Sequence, residues 1–365
     1  MRVQIDFHHA VTYVALRLGG VDHDSASTVA HASQYVDDAT TDGPLTFTTG
    51  ERYVRVTSAH KTFDFRENSD YADNRLVWVP FHFLPGNETP PPGCEGEDAF
   101  LARMMCKPDS AVARSMVNDC ILRKDLPFAL HRLGIALHTY VDTWAHQQFV
   151  GVLCDLNKLS HLEVEPDPAY ATTRAYLDLT GGLARFKAFV AGHLPVGHAA
   201  ALTCPDMPFL KWSFTREKTG EKVRRDNPSD FLAAARGAFN VARRYVADDT
   251  TLADDELPAA DCQIMDQMLR QTVSIDGEDR HPVWLDAIRR GAFSFGPAEV
   301  TYVDQGAGSW KMTALNADPD DEQGIEFEFT PNFLRSDWKH FHDAVQYHRL
   351  FILHDLLPRV GLCAS

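Results

Sequence analysis

LHRLGIALHTYVDTWAHQQF, residues 130–149, sets two histidines and an aspartate at a regular spacing among apolar residues. His138, Asp142 and His146 stand four apart, and four residues are about 400° of α-helix, so the three lie nearly above one another on one face. From first to last the stripe spans roughly 12 Å at about 1.5 Å per residue. Two ring nitrogens and a carboxylate turned to the same space suit a transition metal. The length leaves room for one ion at the first pair and another nearer His146. A polar stripe is ordinarily a solvated face. Here Leu133, Ala136, Leu137, Tyr140, Val141 and Trp144 surround it, which predicts a stripe at least partly buried, and buried His and Asp need partners or a metal.

Other segments bring residues of the same kind. IDFHHAVTYVALRL (5–18) has a helical apolar repeat at Phe7, Val11, Val14 and Leu18, with Asp6, His8 and His9 at its start. SASTVAHASQYVDDAT (25–40) is a second amphipathic segment and ends in Asp37 and Asp38. Adjacent helical residues point about 100° apart, so one of that pair is expected to face the site. His60 follows an extended piece, Tyr53–Val56, and farther on come His193, His198 and Asp206. Alternating His and Asp on several helices is how a bundle builds a polynuclear centre.

These residues resemble the zinc-dependent phospholipase C and P1 nuclease superfamily, including its Het-C-like branch. The likeness rests on LHRLGIALHTYVDTWAHQ, with DFHH, QYVDD and SAH in compatible order. The first 245 residues also resemble an uncharacterised bacterial family with segments like DFHH, QYVDD, FHFLPGN and PDxPxLKW. The superfamily resemblance implies a mainly α, multi-helix bundle holding up to three zinc ions. It implies His138, Asp142, His146 and His60 as ligands, one of His8 and His9 as the early His, and His198 as a late ligand, with Asp206 weaker. One of Asp37 and Asp38 would be both ligand and catalytic base. Two departures favour two ions over three. Secreted members use their mature N-terminal amine and Trp as ligands, whereas this chain begins MRVQIDF, and the late His and acidic pair lacks its usual close spacing. The expected chemistry is attack of metal-activated water on a small phosphate ester or phospholipid. Zn is the first expectation, and Mn or Fe accept the same groups.

Composition narrows the alternatives. The formal net charge of −16 over 365 residues argues against a broad grip on extended duplex nucleic acid, which needs a basic footprint. Neither a run of eighteen apolar residues nor a basic start before an apolar stretch occurs, so a cytoplasmic location, or export without a cleaved signal, is expected. Seven scattered cysteines without a CxxC pair read as reduced thiols. GxSxG, Walker A, HExxH and GxGxxG motifs are absent, which leaves metal chemistry as the leading reading. Lys211 beside Trp212, or Arg132 beside His131, are weaker candidates for meeting a phosphate; surface charge is their simpler reading.

Residues 1–247 read as a helical metal-binding domain. Within it, Leu76–Phe100 is a Pro- and Gly-rich loop in which His82 packs or caps a turn, helices resume near Ala99 and Leu126, and residues 226–246 form a scaffold helix. Residues 248–335 read as a small, acidic, irregular and partly β insertion, with strands at EVTYVDQ and IEFEFT. Residues 336–365 read as an amphipathic helix packing back on the body. Its histidines (340, 342, 348, 354), with Asp343 and Asp355, also admit an HD-type metal phosphohydrolase, and a third reading is a metal-stabilised, non-catalytic partner-binding protein.

Overall fold

A computed structural model describes residues 4–59, 71–191, 196–316 and 327–363. The chain opens with a π-helical turn, Asp6–Val11, that runs into α1 (Thr12–Leu18) and then α2 (His23–Asp38). A hairpin of β1 (Gly43–Thr46) and β2 (Arg52–Arg55) follows. Next come α3 (Tyr71–Phe81), α4 (Gly96–Met104), α5 (Ala111–Leu122) and α6 (Ala129–Ala145). β3 (Leu159–Val164), α7 (Ala171–Ala191), β4 (Lys211–Arg216) and β5 (Lys222–Asp226) lead to α8 (Asn227–Ala247). The last part holds α9 (Ala259–Gln271), α10 (Gly277–Arg289), α11 (Trp310–Leu315) and α12 (Asp337–Phe351). The fold is mainly α, as the sequence predicts, and carries two small antiparallel sheets among the described residues.

α6 is the central element. α2, α5, α8 and α12 pack around it, and every residue from Ala129 to Ala145 except Leu130 is buried, the polar ones included. Gly134 sets how closely α2 approaches. A Cβ there would lie 2.4 Å from the Val29 carbonyl oxygen and 2.6 Å from the Ala32 Cβ, so only hydrogen fits. One turn beyond that contact, His138 reaches the Ser33 carbonyl of α2.

Two findings depart from the sequence reading. The segment taken as a loop from Leu76 is helical to Phe81, with Pro80 inside the helix. Within residues 248–335, Met265 and Leu269 of α9 and Trp284 and Ile288 of α10 enter the main core, because their i, i+4 apolar pairs need burial. EVTYVDQ forms no strand. In IEFEFT, residues 325 and 326 lie outside the described residues, and Phe327 makes a single parallel bridge to Phe47. The larger sheet, in the order β3–β4–β5, lies at residues 159–226 instead. It covers a core of Phe83, Phe149, Phe209, Trp212 and Phe214.

Candidate metal centre

The polar stripe of α6 faces inward. His138 and Asp142 are 0 % and 1 % exposed, and His146 is the residue that ends the helix. Around them stand His8 from the π-helical turn, Asp37 from the last turn of α2, His82 just past α3, and the pair His198 and Asp206 from the segment before β4.

The outer ring nitrogens of the histidines determine what the inner ones can do. His138 Nδ1 donates to Ser33 O at 2.8 Å, and His82 Nε2 donates to Ser58 O at 3.0 Å. His146 Nδ1 donates to His82 O at 2.8 Å, and His198 Nδ1 donates to Leu202 O at 2.9 Å. A backbone carbonyl only accepts, so each of these nitrogens carries the proton and the other nitrogen of a neutral ring presents a lone pair. The lone pairs point at one another and at carboxylates. His82 Nδ1 lies 3.2 Å from His138 Nε2, and Asp142 Oδ2 lies 3.4 Å and 3.3 Å from those two nitrogens. Asp37 Oδ1 adds a fourth corner, 3.9 Å from His82 and 3.7 Å from His138. In a second group, Asp206 Oδ1 faces His146 Nε2 at 3.3 Å and His198 Nε2 at 3.4 Å. Acceptors so arranged repel unless a proton or cation lies among them. A tetrahedral ion with bonds of about 2.0–2.1 Å separates its ligand atoms by roughly 3.3–3.4 Å. The residues therefore fit a metal in both spacing and tautomer, and histidines anchored by carbonyls are the usual support of metal ligands.

His8 supplements the first group. Its ring stacks on His138 at 3.9 Å between centroids, and its Nε2 lies 3.2 Å from Asp142 Oδ1. Burial alone would raise Asp142 and lower His146. The attraction of His146, His138 and His8 instead holds Asp142 well below the ordinary carboxylate range, and Asp142 with Asp206 lifts His146 to about 9, so that a proton between Nε2 and Asp206 holds the place a cation would take. Asp37 differs. Burial raises it, His138 and His82 pull it down, and Asp142 and Asp38 push it up, with a net rise. Its side chain is also the most solvent-exposed of the cluster, at 33 %.

The structure brings His8, Asp37, His138, Asp142, His146 and His198 together, but not every expected residue. His9 turns away and bonds His281 at 2.9 Å. Asp38 accepts hydrogen bonds from Tyr302 and Gln34 and also faces away. His60 and His193 lie outside the described residues. His82 and Asp206, read as a packed residue and a weak candidate, occupy central positions. Their recurrence in the FHFLPGN and PDMPFLKW segments was the one sequence signal available. Lys211 pairs with Asp226 and Arg132 with Asp119, both away from the cluster. The C-terminal histidines serve elsewhere: His342 bonds Val56, His348 donates to the Pro80 carbonyl, and His354 is exposed. They form no further metal-type group among the described residues.

All seven cysteines are free. Cys106 and Cys204 lie near the cluster, and burial pushes both thiols up; neither belongs to the His/Asp groups described above. No helix among the described residues is long and apolar enough to cross a membrane.

Comparison with known proteins places the chain at family level. A family model described as "Family of unknown function (DUF6765)" matches residues 3–356. The chain belongs to this family. No curated protein and no solved structure matches it. The matched span of DUF6765 includes every member of the His/Asp cluster described above.

Proposed function

We propose that this DUF6765 chain is a metal-dependent hydrolase of phosphoric esters, related to the zinc phospholipase C and P1 nuclease superfamily. The observation that supports it most is the set of four histidines whose outer nitrogens are all committed to backbone carbonyls while their inner lone pairs meet Asp142, Asp37 and Asp206. A set of nitrogen and carboxylate donors with no thiolate favours Zn, with Mn or Fe as alternatives. Two or more such ions, when bound, activate water and offset the charge of a phosphoryl group.

The side chains divide the remaining work. His82, His138 and Asp142 hold the buried group, and Asp142 turns its second oxygen to His8. Asp37 combines contact with the group, access to solvent and a raised proton affinity, the properties of a general base. Lys211 and Arg132 are paired away from the cluster, so the bound cations themselves would meet the phosphate charge.

The test uses full-length protein stripped with chelator and reloaded with zinc or manganese. Hydrolysis of bis-p-nitrophenyl phosphate, p-nitrophenyl phosphate or phosphatidylcholine that vanishes on stripping and returns on reloading is expected. A fully metallated chain inert towards all three would overturn the proposal.

A further inference from the structure

The two halves of the cluster differ in the number of donors they supply. The first holds two overlapping sets that share His138, His8–Asp37–His138 and His82–His138–Asp142, five side chains in all. The second has three, His146, His198 and Asp206, and no fourth donor converges on it among the described residues. The Gln4 amide donates to the same Asp206 oxygen at 2.6 Å; an N–H fixes that carboxylate but offers nothing to a cation. The Asp142 oxygen nearest His146 lies 3.6 Å from Nδ1, the nitrogen already committed to the His82 carbonyl.

The second group is nevertheless firmly built. Gly197 has a positive φ of 53°, and a Cβ there would lie 2.2 Å from the Phe83 ring. Without a side chain the backbone passes over Phe83 and sets His198 beside His146, with ring centroids 4.7 Å apart. Asn227 secures the Asp206 turn by donating to Cys204 O at 2.7 Å and Met207 O at 2.8 Å. The side chains of His198 and Asp206 keep 18 % and 12 % exposure, whereas His82, His138 and Asp142 keep 5 % or less and, among the described residues, meet solvent only through Asp37, at 33 %. Three protein ligands with an outward position are the pattern of a site that takes an exogenous ligand, and four or more inward ligands that of a closed site.

We propose that His146, His198 and Asp206 form the exchangeable site, open to an oxyanion such as phosphate, and that the His82–His138–Asp142 group forms the retained one. This rests on the reading of both groups as ion-binding, and its test needs no turnover.

The metal-stripped, full-length chain is titrated with cobalt(II) and followed by its visible spectrum, with inorganic phosphate as the probe. The first equivalent should be insensitive to phosphate, and the second should bring a phosphate-dependent spectral change. His198→Ala should bind one equivalent instead of two and lose the phosphate response. A phosphate response complete at the first equivalent, or a His198→Ala chain that keeps both equivalents and the full response, would overturn the proposal. The wild-type arm does not depend on the variant folding. A chain that shows both cobalt classes yet hydrolyses no phosphate ester would refute the hydrolase reading and leave this one standing. A chain that takes up no cobalt would refute both.

Discussion

Asp37 and Asp38 are neighbours in sequence with different tasks. Asp37 turns to His138 and His82, whereas Asp38 is held by Tyr302 and Gln34. Asp37→Asn is expected to lower phosphoesterase activity by about 10²-fold or more, the usual scale for a lost general base, and Asp38→Asn to leave it within about threefold. Steady-state rates of the two variants compare them directly; equal losses would remove the distinction. The 100° step between adjacent helical residues predicted that one carboxylate would face inward. It could not say which, because Tyr302 lies more than 260 residues away in the chain. The α6 trio was legible because its spacing repeats with the helix. His82 and Asp206 were not, since a residue in irregular backbone has no period to reveal its direction. A second residue-level prediction concerns acid. Burial drives His342 down to about 4 and both His31 and His348 to about 3. Below about pH 6.5 the unfolded chain takes up protons that the folded chain refuses. Stability is therefore complete above that pH and falls as pH drops towards 4, by up to about 1.4 kcal/mol per pH unit for each such group. His342→Gln should flatten the fall in Tm between pH 6.5 and 4; an unchanged slope would count against His342 as a source.

At the scale of elements, the contact of α2 with α6 is the joint on which the centre depends. Gly134→Ala would drive a methyl group into the Val29 carbonyl and Ala32. Overpacking of this kind costs about 1–3 kcal/mol. It should also weaken metal uptake, because Ser33 O and Asp37 both ride on α2. Denaturant melts with metal analysis test this, and full stability with full uptake would contradict it. α2, α6, α8 and α12 were legible from apolar periodicity and their polar faces. The sheet at β4 and β5 was overlooked, although Trp212, Phe214 and Arg216 alternate inward along β4. Its two short strands carry five basic residues, and charge obscured the period of two. IEFEFT carried a cleaner alternation yet yields one bridge at Phe327, since alternation supplies a face and not a partner strand.

For the whole molecule, the centre joins elements from distant parts of the chain. Residues from the N-terminal turn, α2, the segment after α3, α6 and the segment before β4 meet at one point. A bidentate, buried ion pair between Arg280 of α10 and Asp6, both bonds 2.8 Å, ties the C-terminal third to the turn that carries His8. Ligands gathered from so many segments bind the folded state alone, and the stabilisation follows from mass action. Chelation should therefore lower Tm by several degrees, reversed by added zinc; a Tm indifferent to chelator would show that no ion supports the fold. The most direct measurement is elemental analysis of the purified, tag-free chain by inductively coupled plasma mass spectrometry, alongside Asp142→Asn. The expected result is two or more zinc, manganese or iron ions per chain, with at least one lost in the variant. A wild-type chain that holds no metal and takes up none when supplied, or a variant that keeps its full content, would contradict the metal centre.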